Sequence, residues 1–531
     1  MIIPSLDEAR GAATCPGLDL VQLRAFGRLT RGPGGVRSSA RTSGSVYDQE
    51  VAMTESAMAD GRPTPVLTEP GEKVIEGNIA ARIDRLPVMG FHYTYAGITQ
   101  LFWGIMIAAD AVVASLYPFL WAPEGLISSF QFDVLLGTNI GAGILVGEYL
   151  GGFLSDMIGR KWTLVSAALV EGLFIWPIAQ TNKFWWLLLW NFLFALGMGM
   201  LLASNAVYVH ELAPPKFRQK LSLRTQAIAP TASAIFGGGF SYLWIPDHYK
   251  WYLYLLSAAP IVVLVPLGIL VLPESPRWLE GKGRIADADK IVSKWERAAI
   301  AKYGPLPEPE RGVQVVTTES VPVKEVFMGR YKRQTYLLFA VWFLGYSGLV
   351  YGFGSFFPTF AVLHVGWTAH QLFFWTRIAP LPILLITFFA VAAFGERYER
   401  KTWVLGSGIG FGVVTLLLLI FTSDLYLYII AIGSVGVIYV WLFTMYNYTS
   451  AAYPTRLRSV GTGWTDGVGH LGAIVGTSLL VGRLFSWTLE SNVAGWAWIL
   501  YCAIPGAIIP SILLYIWGQN QKGQTLEETA P

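Results

Sequence analysis

From residue 92 onward the chain breaks into apolar runs, each near the roughly 20 residues that a helix needs to cross a bilayer. The runs fall at 92–118, 131–153, 163–180, 185–210, 222–245, 251–272, 335–362, 371–393, 402–421, 425–450, 460–485 and 494–517, and are numbered spans 1 to 12. Lipid offers backbone groups no hydrogen-bond partner, so each run must be helical. The fold class follows: an all-α membrane protein of twelve transmembrane helices in two six-helix bundles, 91–272 and 335–517. Composition agrees, with only 14% charged residues against about a quarter in soluble proteins. The net charge of +3 supplies no basic field for nucleic acid. Cys15 and Cys502 lie too far apart in the chain to read as a disulfide framework.

Basic residues near the span ends set orientation. Alternate loops carry Arg160 and Lys161; Lys216, Arg218 and Lys220; many within 277–333; Arg397, Arg400 and Lys401; and Arg456 and Arg458. The opposite loops hold little beyond Lys183, Lys250 and Arg483. Both termini are therefore expected on the cytoplasmic side of the membrane, which the chain spans many times. Residues 273–334 read as a cytoplasmic connector with one amphipathic helix around 286–300, and 518–531 as a short tail. Residues 1–90 read as a largely disordered tail. Their first 52 hold six Arg and no Lys, and read either as leader upstream of a start at Met53 or Met58 or as part of that tail.

The turn after span 2, GFLSDMIGRK at 152–161, has an echo in AAFGERYERK at 392–401. Asp156 falls on Glu396, Arg160 on Arg400 and Lys161 on Lys401, each 240 residues on. YVHELAPPKFR at 208–218 lies over YTSAAYPTRLR at 448–458 at the same offset, placing Arg218 on Arg458. Two matches at one offset, both at turns on one side, point to duplicated, pseudo-symmetric halves.

These motifs resemble the major facilitator superfamily of secondary transporters. GGFLSDMIGRK is similar to its loop signature G-x-L-x-D-x-x-G-R-K, and HELAPPKFR to the E-x-x-P-x-x-x-R turn. PESPRWL at 273–279 and GQTLEE at 523–528 resemble the sugar-and-metabolite-porter branch, and IAARIDRLPV at 79–88 the entry to span 1 of aromatic-acid and niacin symporters. The resemblance implies a cytoplasmic latch built from Asp156, Arg160, Lys161, Glu211, Arg218, Glu396, Arg400 and Arg458. In that picture Asp156 faces the positive N-terminal end of span 11 with Arg218 as its ionic partner, and Glu396 pairs with Arg458 in the other half. Glu211 has Ala451 as its counterpart, so a weaker second latch is expected. Span 7 lacks the Gln-Gln pair and G-I-N run of hexose porters, which disfavours sugar.

Charges at membrane depth are costly and mark function. Asp110 in span 1 aligns with the Asp that related symporters use in proton coupling; a structural hydrogen bond is the competing reading. Glu171 in span 3 is a further candidate, whereas Glu148 reads as support for the latch. Arg377 in span 8 suits a carboxylate through a bidentate pair, or snorkels to the outer surface. His470 in span 11 stands where related acid symporters carry Arg; Asp466, one turn earlier, is placed to pair with it. Tyr351, Trp375 and Tyr446 are aromatic candidates for the cavity wall.

The function expected is proton-coupled symport of a small organic or aromatic carboxylate by a monomer that uses the proton gradient and no cofactor. Sugar or polyol uptake and efflux antiport are the alternatives. With no phosphate loop, metal-ligand cluster or nucleophile–base pair in the sequence, an enzyme is disfavoured.

Overall fold

The computed structural model describes residues 72–77, 79–120, 131, 135, 138–181, 183–214, 217–239, 253–309, 312–317, 323–368, 371, 374–421, 423–454, 457–481, 484 and 497–522. Helical segments occupy all twelve expected spans. Span 1 is Gly90–Leu120, span 3 Arg160–Gln180, span 4 Phe184–Leu212, span 6 Leu253–Leu270, span 9 Arg400–Leu416 and span 10 Asp424–Ala451. Span 2 runs through a π-helical turn, Thr138–Gly143, into Ile144–Ile158. Span 5 comprises Arg218–Gln226, Ile228–Ser233 and Ala234–Gly239; span 8 comprises Phe374–Ile378 and Leu381–Phe394. Span 11 is Arg458–Ala473 followed by Ile474–Val481, and span 12 is Ala497–Trp517. Span 7 widens at Tyr346–Val350 between Lys332–Gly345 and Tyr351–Val365, the kind of local π-turn that recurs at functional sites.

Polarity is arranged as lipid demands. Trp185, Leu270, Ile386, Ile420 and Leu425 are all more than 60% exposed, while Glu148, Asn191, Glu211, Asp466 and His470 are fully buried. Small residues let the halves close on each other. A β-carbon on Gly463 of span 11 would lie 2.5 Å from the Glu148 carbonyl oxygen of span 2, and one on Gly152 would lie 2.7 Å from that of Ser459.

The connector forms helices Pro276–Gly281 and Ile285–Tyr303. Ala288, Val292, Trp295 and Ala299 make one buried face of the second, at helical spacing. The last part of the expected disordered tail is instead built into this layer. Glu72–Gly77 pairs antiparallel with Gly312–Thr317, and Ile79–Asp84 is a short helix. The Glu280 carboxylate accepts from the Ile79 and Ala80 N–H groups at 2.9 and 3.1 Å, satisfying donors that a helix start leaves open. Arg82 donates to Glu296, Asp289 and Ser293, and Arg85 to Glu296 and the Pro307 carbonyl. Asp84 meets Arg277, and Arg218 at 3.5 Å. IDRLP thus acts through its charges as a strap on the connector.

Gly159 begins span 3 at φ 106° and ψ 163°, backbone that essentially only glycine adopts. A β-carbon there would sit 2.2 Å from Glu274 Oε2. The other carboxylate oxygen of Glu274 accepts from the N–H groups of Arg160, Lys161 and Ser275. Gly159→Ala is expected to lower stability by about 1–3 kcal/mol. A thermal unfolding midpoint equal to the parent's, in one detergent, would contradict this. Burial pushes the Glu296 carboxyl up, but hydrogen bonds and charge from Arg82 and Arg85 outweigh it and hold the group below its usual 4.5. Because the folded value is the lower one, the strap is complete at neutral pH and is lost as pH falls through that value. Hydrogen-exchange protection of residues 79–85 should hold down to about pH 4.5 and collapse only below it, and Glu296→Gln should lose that protection already at neutral pH. Unaltered protection in the variant would exclude the strap.

Candidate functional site

Two polar layers lie between the halves. The first is at the connector end, where Asp156 closes span 2. Its Oδ2 accepts from the Val460 N–H at 3.2 Å, in the first turn of span 11, where the helix dipole favours an anion. Oδ1 lies 2.9 Å from Arg160, and the Trp278 indole N–H donates to the Asp156 carbonyl at 3.0 Å. Arg160 also reaches across to span 4 and grips Glu211 with two bonds of 3.0 Å, the planar fork that a carboxylate fits best. Glu211 receives in addition the Ser275 hydroxyl at 2.5 Å and Arg458 of the opposite half at 3.3 Å. Lys161 donates to the Ile269 carbonyl.

Two pairings differ from expectation. Arg218 does not meet Asp156; it donates to the Ala213 carbonyl and faces Asp84, because span 5 starts on the strap side of the bundle. Arg458 pairs with Glu211, across the halves, while the side chain of Glu396 lies outside the described residues. Arg400 finds no carboxylate at position 451, which is Ala, and donates instead to the Asn447 carbonyl at 3.3 Å and Gln521 Oε1 at 2.8 Å. Lys401 donates to the Gly518 carbonyl.

Beside this layer, His210 of span 4 contacts Asn447 and Ser450 of span 10 at 2.9 and 2.7 Å, and the Ser222 hydroxyl donates to the same Asn447 oxygen. His210 and Ser450 are 240 residues apart, the offset of the internal repeat. Equivalent positions of the two halves therefore touch here, as expected at a pseudo-two-fold axis.

The second layer lies deeper. Glu148, Asp466 and His470 come together with ligating atoms all within 4.8 Å of one another, each fully buried. His470 Nδ1 is 3.1 Å from Glu148 Oε2, and its Nε2 is 3.0 Å from the Tyr351 hydroxyl. His470 thus bonds the Glu148 carboxylate of the opposite half, while Asp466, its neighbour by one turn, acts on it through its charge and its backbone. Tyr346 packs edge-on against the imidazole at 4.7 Å and hydrogen-bonds Tyr446 at 2.9 Å; Trp103 in turn lies edge-on to Tyr446 at 5.3 Å. Half-buried Asp110 is close enough to Tyr351, His470 and Glu171 to act on each electrostatically.

The remaining candidates separate. Arg377 is exposed, near Tyr439. Trp375 stacks on Tyr428 at 4.2 Å, and Tyr428 stacks on Trp367, so its ring is committed to packing. The sequence contains no recognisable metal motif, yet folding assembles two carboxylates and an imidazole. Glu148 is the residue whose place sequence reasoning missed; its signal was a carboxylate in a Gly-flanked apolar run, GAGILVGEYLGG. Chemically the layer is two carboxyl groups and an imidazole lined by aromatic rings.

A family model described as Major Facilitator Superfamily matches residues 101–477. The niacin transporter NiaP of Acinetobacter baylyi is 26% identical over 473 residues, covering 85% of this chain and 99% of that protein. The 4-hydroxybenzoate transporter PcaK of the same organism is 26% identical over 394 residues, covering 73% and 83%. The solved structure of the proton:xylose symporter XylE superposes with a TM-score of 0.62 at 16% identity, covering 83% of this chain and 98% of that one, a likeness of fold alone. The twelve spans in two repeated halves and the charged layer between them thus have a family: the chain belongs to the Major Facilitator Superfamily of membrane transporters.

Proposed function

We propose that this transporter carries a small aromatic or organic carboxylate together with a proton, by alternating access of its two halves. The observation that carries this reading is the set of contacts that join the halves at the connector end: Asp156 to the Val460 N–H, Glu211 to Arg458, and His210 to Asn447. Each is a polar bond between separate bundles, which a rocking motion can exchange for water. The carboxylate class is supported by relatives named for niacin and for 4-hydroxybenzoate, both aromatic acids. Exposed Arg377 supplies a cation, and Trp103, Tyr346, Tyr351 and Tyr446 supply rings that suit such a substrate. Likeness to the xylose symporter is one of fold, so sugar stays the secondary reading. The connector end is assigned to the cytoplasm, with both termini there, on the basic residues of its loops. The working form is a monomer in a bacterial inner membrane.

The test is uptake by proteoliposomes of labelled nicotinate, 4-hydroxybenzoate and xylose, with and without an inward-directed proton gradient. Gradient-driven accumulation of an acid is expected; accumulation of xylose with no acid would overturn the substrate class. Asp110→Asn should abolish gradient-driven accumulation while sparing counterflow exchange, and full accumulation in that variant would remove Asp110 from coupling. Glu211→Gln leaves Arg160 and Arg458 short of a buried counter-charge and should cost about 3–5 kcal/mol of stability. An unshifted unfolding midpoint in that variant would show that Glu211 does not hold the layer together.

A further inference from the structure

Glu148 belongs to the N-terminal half, and Asp466 and His470 to the C-terminal half, so their contact spans the interface that transport must open. Nothing in the repeated scaffold requires it. At the 240-residue offset, Glu148, Asp466 and His470 correspond to Phe388, Gln226 and Pro230, none of them ionisable. The acids and the imidazole are a departure from symmetry at one of two equivalent interfaces.

Both oxygens of Asp466, and Oε1 of Glu148, are buried without a hydrogen bond of good geometry, although the Glu148 carboxyl and the Tyr446 hydroxyl lie close to Asp466. The groups facing Asp466 and His470 are Glu148 from span 2, Tyr346 and Tyr351 from span 7, Tyr446 from span 10 and Asp110 from span 1; Tyr149, stacked on Trp464, is close enough to Glu148 to interact with it electrostatically. No arginine or lysine is among them. Even with His470 as an imidazolium, two carboxylates leave the cluster one negative charge in excess, in a place sealed from water. One further proton, shared between Glu148 and Asp466, makes it neutral. A metal would serve less well, because both imidazole nitrogens are already engaged, Nδ1 by Glu148 and Nε2 by Tyr351.

We propose that Glu148, Asp466 and His470 form a proton-binding interlock: a proton held between the two carboxyls locks spans 2 and 11 together at the connector end, and leaves when the halves part. Tyr351 can donate to or accept from Nε2, so its bond to His470 survives either charge state of the ring and links the interlock to the side on which Asp110 lies. When the halves separate, Glu148 loses His470 and meets water, and the shared proton is released there. This deepens the proton-coupled reading by naming where the proton is held while that end is shut.

The interlock is tested on the full chain in lipid nanodiscs without substrate. Ser459, buried at the same seam and clear of the cluster, is replaced by Cys in a Cys15→Ala, Cys502→Ala background, and maleimide labelling is followed from about pH 5 to about pH 9. All rates are taken relative to a cysteine peptide at the same pH, because maleimide attacks the thiolate and speeds with pH by itself. On that scale labelling is expected to quicken about tenfold with rising pH as the proton is lost and the seam loosens. Glu148→Gln and Asp466→Asn, each mimicking the protonated acid, should label slowly at every pH, whereas Asp110→Asn should keep the dependence. Flat labelling of the parent overturns the proposal whether or not the variants fold. So does a pH dependence that survives in both variants, which would place the titration at Asp156. Quickened labelling on adding a chelator would assign a metal instead and also overturn it. Failure of proton-driven uptake with this pattern intact would fault only the transport reading.

Discussion

The Glu211 carboxylate organises the connector end of the molecule. It is fully buried, and a buried charge must be neutralised where it stands. Arg160 does this from within its own half through two bonds, Ser275 ties in the connector, and Arg458 arrives from the opposite half through one longer bond. This inequality matters. If the halves part, Glu211 keeps its bidentate partner and only Arg458 has to find water. Closure is therefore stabilised by an ion pair whose breaking leaves no uncompensated carboxylate in the N-terminal half.

Around that point the two halves are alike in shape and unlike in charge. Contact between His210 and Ser450, equivalent positions in the repeat, marks where the pseudo-two-fold axis passes. Away from it the symmetry lapses. Glu211 is matched by Ala451, so Arg400 settles on an amide and a carbonyl. The cluster of Glu148, Asp466 and His470 is matched by residues that cannot titrate. Two identical interfaces would leave the two access states nearly equal in energy, and ionisable groups on one of them give pH something to act on.

The twelve spans, their division into halves and the family itself were legible in sequence, because length, hydropathy and the spacing of Asp156, Arg160 and Arg218 from their echoes are one-dimensional facts. Depth was legible as well, and direction around each helix was not. Arg218 and Arg458 are equivalent in the repeat, yet one faces the strap residue Asp84 and the other Glu211. Glu148 looked like a neighbour of the turn but points into the seam, because Gly463 lets span 11 lie directly against it. Trp375 has the composition of a cavity residue and spends its ring on Tyr428. The strap was missed for a different reason: IAARIDR at 79–85 is too short to carry a periodicity, and its order comes from Glu280 and Glu296, which lie some 200 residues away in sequence.

Alternating access of the halves is the claim on which the rest stands, and it is open to a direct distance measurement. Spin labels at Met157 and Tyr398, exposed positions on opposite halves at the connector end, report the gap between them by double electron–electron resonance. Addition of nicotinate, or a rise in pH, should shift population from a short distance to a longer, discrete one. A single distance, unmoved by substrate or pH while uptake proceeds in the same preparation, would contradict rocking of the halves about this seam.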